Sequence, residues 1–153
     1  MTFIIEKNLI IDAPAEIVWE VISDFARYPE WNPFCVECSS TMQPGDPIDL
    51  KVKLMARPQA QREWVTELVP GSRFVYSMKP VPGGALSSMR SHDLRPLDAM
   101  RTEYRSYFHL KGWMRFVVLG LFKARLEAGF EGMSEGIRQR AESLWAQRQG
   151  AAR

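Results

Sequence analysis

The spacing of apolar residues divides the chain into a β-prone start, a short helix, a long region of strands and a final long helix. Residues 3–11 are rich in β-branched side chains, which favour a strand. Pro14 and Glu16 then form a helix-start signal, and we expect the helix to end before Pro29. Between these points the helical spacing predicts one apolar stripe, made of Ile17, Val18, Val21, Ile22 and Phe25, with Trp19 at its margin.

The segment 25–34 is dense in aromatic side chains and contains Pro29 and Pro33. Because the residue before a proline is disfavoured in a helix, this segment is predicted to be a short helix or a loop rather than a strand. Aromatic rings in such a segment serve either as a plug over the core or as the wall of a pocket. Both alternatives stay open.

From residue 34 to residue 110 the apolar positions alternate, with turn signals at 44–46, 70–72 and 82–84. This pattern predicts antiparallel strands joined by hairpins. The two clearest runs predict as inward Ile48, Leu50, Val52 and Leu54, and on the last strand Thr102, Tyr104, Ser106, Phe108 and Leu110. The middle runs predict as inward Trp64, Thr66 and Leu68, then Phe74, Tyr76 and Met78, and then His92 beside Leu94. A one-residue error in register would move each set to the other face.

A long amphipathic helix is predicted from residue 113 to about residue 147, because no proline interrupts the helical period there. Its apolar positions are Phe116, Leu119, Leu126, Phe130, Met133, Ile137, Ala141 and Leu144. Four glycines each lower its intrinsic helicity by about 1 kcal/mol relative to alanine, so packing must hold it together. Residues 113–122 are apolar on nearly every side, which fits a pocket mouth, a dimer contact, a membrane-touching surface or burial beneath loops.

Length and composition predict one globular domain over residues 1–148, followed by a frayed tail at 149–153. The chain has 153 residues, of which 46% are hydrophobic and 25% are charged, so it can form a core without disulfides or a structural metal. The net charge of +2 is spread along the chain and does not imply nucleic acid as a partner. No signal peptide or transmembrane segment is evident, and we expect a cytoplasmic protein.

Cys35 and Cys38 form a C-x-x-C pair, which in a βαβ context would suggest a redox site. The pair falls instead in a predicted strand, where residues three apart face opposite sides about 10 Å apart, beyond the reach of a disulfide. We therefore expect two reduced structural thiols. Because no second pair of this kind completes a zinc site and no phosphate cradle or nucleophile elbow occurs, we expect no metal and no cofactor.

One stretch of sequence adds a motif to this order of elements. It reads Ile11-Asp-Ala-Pro-Ala-Glu-Ile-Val-Trp-Glu-Val-Ile-Ser-Asp-Phe25, followed by Tyr28-Pro-Glu-Trp-Asn-Pro-Phe34, with weaker echoes at 70–74, 92–97, 101–103 and 110–112. The pattern resembles the START-like (SRPBCC) superfamily, which includes the Bet v 1-type allergens and the polyketide cyclase/dehydrase-like proteins. The resemblance covers nearly the whole chain.

The resemblance implies an α+β helix-grip fold, with a seven-stranded antiparallel sheet wrapped around a long C-terminal helix and two short helices after the first strand. It also implies an internal cavity. The same fold binds lipids, sterols, polyketides and plant hormones, and in some branches it performs cyclisation or dehydration. The fold alone therefore does not name the function.

Three residues are candidates for chemistry. His92 is the one histidine on a predicted inward face, where it acts as a general base or is simply satisfied by a neighbouring strand group. Arg90 offers a fork of donors to a ligand carboxylate or carbonyl, or else forms a salt bridge at the rim. Tyr104 offers a hydroxyl to an otherwise apolar pocket. No carboxylate is placed beside a histidine by its spacing, so the sequence shows no acid–base dyad.

The sequence leaves three functions open. The first is a carrier or sensor that binds a small hydrophobic molecule, such as a lipid, an isoprenoid or a polyketide, between the sheet and the last helix. The second is a cyclase or dehydratase-like enzyme that uses His92, Tyr104 and Arg90. The third is an adaptor module that uses the apolar helix segment, and a homodimer is compatible with it. The residues expected to contact the ligand are Trp31, Phe34, Leu54, Trp64, Phe74, Tyr76, His92, Tyr104, Ser106, Phe108, Phe116 and Phe130.

Overall fold

Seven strands form one antiparallel sheet in a computed structural model that describes residues 2–151. The strands are β1 (Thr2–Ile11), β2 (Cys35–Ser40), β3 (Pro47–Val52), β4 (Gln59–Val69), β5 (Arg73–Ser77), β6 (Ser87–Pro96) and β7 (Thr102–Lys111). They pair in the order β1-β7-β6-β5-β4-β3-β2. Consecutive strands from β2 to β7 are therefore neighbours. The strand β1 lies at one edge of the sheet, beside β7.

The α-helices precede and follow the run of strands from β2 to β7. The helix α1 (Ala15–Ser23), a 3-10 turn (Phe25–Arg27) and the short helix α2 (Tyr28–Trp31) follow β1, and a second 3-10 turn (Pro82–Gly84) precedes β6. The long helix α3 (Arg115–Ala151) ends the described chain. These elements confirm the predicted helix-grip architecture. The helix α3 includes residues 149–151 of the predicted tail, while residues 152 and 153 lie outside the described part of the chain.

The core lies between the inner face of the sheet and the helices. The predicted apolar stripe of α1 is buried, and so are Ile48, Leu50 and Val52 on β3 and the predicted inward residues of β7, apart from Phe108, which is half-buried. Thr102 shows why a polar residue can occupy an inward position, because its hydroxyl donates a hydrogen bond of 2.8 Å to the carbonyl of Ala13. Among residues 2–151, no helix combines the length with the hydropathy that a membrane-spanning helix requires.

The segment that joins α2 to β2 packs against the glycines of α3. A Cβ atom at Gly129 would overlap the ring of Phe34, and one at Gly136 would lie 2.9 Å from the carbonyl oxygen of Trp31. A side chain at either position would therefore push this segment away from the helix. At Gly129 and Gly136, tertiary packing therefore compensates for the low helical propensity of glycine.

The predicted inward face of β4 was wrong at Trp64 and at Thr66, which is exposed. Val65 is buried and Glu63 faces the interior, whereas Trp64 lies on the other face and away from the core. The register of β4 against β5 shifts between Val65 and Glu67, which is the signature of a β-bulge. Beyond the bulge the parity changes, so Leu68 packs against the core as predicted.

The prediction that Cys35 and Cys38 face opposite sides was also wrong. The register of β2 against β3 shifts between Cys35 and Glu37, and the extra residue brings both thiols to the inner face. A hydrogen bond with the Cys35 thiol, together with burial, raises the pKa of the Cys38 thiol. Both cysteines are free thiols.

Candidate functional site

A cavity of about 430 Å³ lies between the sheet and α3. Its volume falls within the range of small-molecule sites in proteins. The wall is made of Phe34, Cys35, Leu50, Val52, Leu54, Gln61, Arg62, Glu63, Tyr76, Met78, Leu86, Ser88, Arg90, Phe108, Leu110, Val118, Leu126, Phe130 and Met133. Most of these side chains are apolar. Gln61 and Arg62 on this wall are exposed.

Arg90 brings a positive charge to this wall although it is only 3% exposed. Its Nη1 atom donates hydrogen bonds to Ser106 Oγ at 2.5 Å and to the carbonyl of Tyr107 at 3.4 Å. Its Nη2 atom has only the sulfur of Met133, at 3.7 Å, and its Nε atom is buried without a partner. The ring of Phe130 covers the guanidinium at 4.7 Å, a cation–π arrangement. Arg90 is thus held in place by neutral groups alone.

Glu63 places a carboxyl group on the same wall. It is partly buried, and burial raises its pKa from the ordinary 4.5 to about 7, while the nearby Arg90 opposes the rise. A carboxyl group with a pKa near neutrality exchanges protons readily at cellular pH, which is the property required of a general acid or base. Burial likewise keeps the hydroxyl of Tyr76, also on the wall, protonated by raising its pKa.

His92 and Tyr104 lie behind the cavity wall, in the core. The His92 Nδ1 atom is 2.7 Å from the Tyr104 hydroxyl, and the two rings are stacked with their centroids 5.9 Å apart. Burial lowers the pKa of His92 well below its ordinary value, so the imidazole is neutral. The hydrogen bond with Tyr104 on the neighbouring strand β7 agrees with the interpretation that His92 is satisfied by a strand neighbour. The His92 Nε2 atom has no hydrogen-bond partner.

The structure separates the predicted ligand contacts into three groups. On the cavity wall lie Phe34, Leu54, Tyr76, Phe108 and Phe130, and the catalytic candidate Arg90. In the core beside the cavity lie Phe74, His92, Tyr104 and Ser106. Away from the cavity lie Trp31, which packs on α3, Trp64 on the outer face of β4, and Phe116, which is exposed. The contact of any of these residues with a ligand stays a prediction.

Glu63 was not among the residues predicted from the sequence. Strict alternation makes Glu63 an outward residue beside an inward Trp64, and only the bulge in β4 reverses them. The cavity residues of α3 were easier to find, because Leu126, Phe130 and Met133 repeat at helical spacing.

The first turns of α3 present apolar side chains to solvent. Trp113, Phe116, Val117 and Leu121 are each more than half exposed, while Val118 on the opposite side lines the cavity. An exposed apolar cluster of this kind is uncommon on a monomeric protein. For these four residues, the prediction of burial beneath loops is wrong.

No group of three or more metal-ligating side chains converges within residues 2–151.

The sheet wrapped around the long C-terminal helix defines a helix-grip fold. A family model described as "polyketide cyclase/dehydrase and lipid transport" matches residues 2–142 of this chain. The chain belongs to this family.

Solved structures share the fold at low sequence identity. The Zhui aromatase/cyclase from Streptomyces sp. R1128 is 21% identical over 99% of this chain and 98% of its own, with a TM-score of 0.69. Norcoclaurine synthase from Thalictrum flavum, in complex with a transition state analogue, is 15% identical over 92% and 94%, with a TM-score of 0.65. A START superfamily protein from Mycobacterium smegmatis is 15% identical over 94% and 97%, with a TM-score of 0.66. At these identities the similarity establishes the fold alone.

Proposed function

We propose that this protein binds a small hydrophobic molecule in the cavity between the sheet and α3, and acts as a carrier or sensor for it. The observation that carries the proposal is the cavity itself, with about 430 Å³ of space behind a mainly apolar wall. When an apolar ligand replaces water in such a space, apolar surface of both the ligand and the wall is removed from water, which favours binding. The membership of a family described by cyclase, dehydrase and lipid transport activities agrees with ligands of this kind.

A cyclase or dehydratase activity is the second candidate, and Glu63 favours it. A carboxyl group with a pKa of about 7 stands on the wall that Arg90 also lines. In such an enzyme Arg90 would polarise a ligand carbonyl and Glu63 would move a proton. His92 and Tyr104 are less suited to this role, because both lie behind the wall. The adaptor function stays a prediction for the exposed segment of α3.

Ligand binding is tested by native mass spectrometry of the purified protein and by displacement of an apolar fluorescent dye. The variant Leu126→Trp fills the cavity, because Leu126 is buried on its wall. We expect it to weaken dye binding at least about tenfold. The matched control is Leu121→Trp on the same helix, which is 68% exposed and away from the cavity, and which should bind the dye as the wild type does.

The result that overturns the proposal is a wild-type protein that carries no copurified molecule and binds no added one. Equal dye binding by the two tryptophan variants would also overturn it, because binding would then occur elsewhere. The mass of the recovered ligand separates the two candidates. An unchanged mass supports the carrier or sensor, whereas loss of one water molecule from a polyketide-like ligand supports the enzyme.

A further inference from the structure

The side edge of the Arg90 guanidinium, formed by Nε and Nη2, has no oxygen partner. Nε is buried without any hydrogen bond, and Nη2 has only the thioether of Met133 at 3.7 Å. A thioether is a weak acceptor, and Met133 is a flexible side chain that can move aside. The opposite nitrogen, Nη1, is already engaged by Ser106 and Tyr107. The free edge is therefore the part of the group that a ligand can use.

Other arginines of this protein show what that edge binds. Arg62 presents Nε and Nη2 to the two carboxylate oxygens of Asp49, at 2.7 and 3.1 Å. Arg95 presents the same edge to Glu103, and Arg138 presents it to Glu135. A carboxylate matches the spacing of these two donors.

Arg90 is the exception although it is the most deeply buried of the four. Within residues 2–151, no carboxylate lies within 4.0 Å of its guanidinium. Taking a cation out of water without an anionic partner is costly, and buried charges in proteins are ordinarily paired. Glu63 on the same wall can neutralise this charge only when it is ionised, so while Glu63 is protonated an anionic partner for the guanidinium must come from outside the chain.

We propose that the ligand of this cavity carries a carboxylate on an apolar body, and that the Nε–Nη2 edge of Arg90 binds this carboxylate once Met133 moves aside. This inference rests on the proposed function, because it names the class of molecule that the cavity takes. The apolar body lies along Leu126, Phe130 and the facing strands. A fatty acid and an aromatic acid share this chemistry, and the experiment below distinguishes them.

Glu63 makes the binding depend on pH. The titratable and charged groups that face it are Arg90 on β6, Tyr76 on β5 and the Cys38 thiol on β2, whereas α3 contributes only apolar side chains and Met133 to this part of the wall. When Glu63 is protonated, the buried positive charge of Arg90 has no negative charge beside it and attracts an anion, whereas Arg62 at the exposed part of the wall is paired with Asp49. When Glu63 is ionised, it neutralises this charge and repels the ligand carboxylate.

The test compares ligands that differ only in the head group, by calorimetric titration at about pH 6, where Glu63 is protonated. The pairs are decanoic acid with decanol, and 2-naphthoic acid with 2-naphthol. We expect the acid that fits to bind at least about tenfold more tightly than its alcohol. Comparison of the two pairs shows whether the apolar body is aliphatic or aromatic.

Two variants locate the effect. Arg90→Met should bind the acid and the alcohol equally, and alcohol binding reports that this variant is folded. The matched control Arg95→Met removes an exposed arginine of the same strand and should keep the preference for the acid. Between about pH 6 and about pH 8 the wild type should lose about tenfold in affinity for the acid, whereas Glu63→Gln should lose little.

Equal binding of acid and alcohol by the wild type would overturn this inference and leave the proposed function standing. Absence of binding by every compound would count against the proposed function itself. An acid preference that persists in Arg90→Met would show that the carboxylate binds elsewhere. A wild-type affinity that does not change with pH would show that Glu63 does not control binding.

Discussion

Glu63 shows how one inserted residue changes the chemistry of a site. The bulge in β4 turns this carboxyl group inward, where burial raises its pKa to about 7 and where Arg90 lies on the same wall. The alternation of apolar and polar residues predicts the opposite face, because a bulge leaves no reliable mark in a single sequence. Cys35 and Cys38 were misplaced for the same reason. By contrast, β6 pairs with β5 and β7 without a register shift, so simple alternation places Arg90 on the same face as His92.

Replacement of Glu63 by glutamine should change stability in a pH-dependent way. The folded protein holds this proton up to about pH 7, whereas the unfolded chain releases it near the ordinary value of 4.5. The stability of the wild type therefore falls as the pH rises from about 4.5 to about 7. Glu63→Gln removes this loss, so urea unfolding should show it more stable than the wild type by about 1 to 3 kcal/mol at about pH 8 and nearly equal at about pH 4.5.

The control for this measurement is Glu37→Gln, which replaces an exposed carboxyl group on β2 that pairs with Lys51. Its effect should stay within about 0.5 kcal/mol of the wild type at both pH values. A Glu63→Gln protein whose stability relative to the wild type is the same at both pH values would contradict the raised pKa.

At the scale of elements, α3 combines weak helical propensity with close packing. The sequence predicts its existence, because the helical period runs without a proline over more than thirty residues. It does not predict which segment covers the glycines, since that contact joins parts of the chain about one hundred residues apart. Phe34 and Trp31 occupy those positions, so the aromatic segment after α1 packs on the helix and also supplies Phe34 to the cavity wall.

Two glycine-to-alanine substitutions in α3 should have opposite effects. Gly120→Ala adds a methyl group in open space and should stabilise the protein by up to about 1 kcal/mol through helix propensity. Gly129→Ala gains the same propensity but forces the methyl group into the Phe34 ring, so it should destabilise the protein by about 1 to 2 kcal/mol. Thermal unfolding of the two variants compares them directly. Stabilisation of both would mean that Phe34 does not pack against Gly129.

At the scale of the whole molecule, the fold was predictable because several independent signals agree. The helix-start motif, the turn residues between alternating runs and the final helical period each favour the same order of elements, and the motif at 11–34 resembles one superfamily. The cavity was expected only from that resemblance. Its wall depends on the bulge in β4 and on the distance between α3 and the sheet, neither of which a local pattern encodes.

The proposed ligand lies between the sheet and α3, and two methionines of the cavity wall can report on its binding there. Met78 and Met133 line the cavity, whereas Met100 is an exposed residue of the loop before β7. The most direct measurement is an NMR titration of methyl-labelled methionines with the tightest-binding acid of the matched set. We expect saturable shifts of the Met78 and Met133 signals, with the largest at Met133, and an unchanged Met100 signal. Saturable binding that leaves the Met78 and Met133 signals unchanged would contradict ligand binding between the sheet and α3.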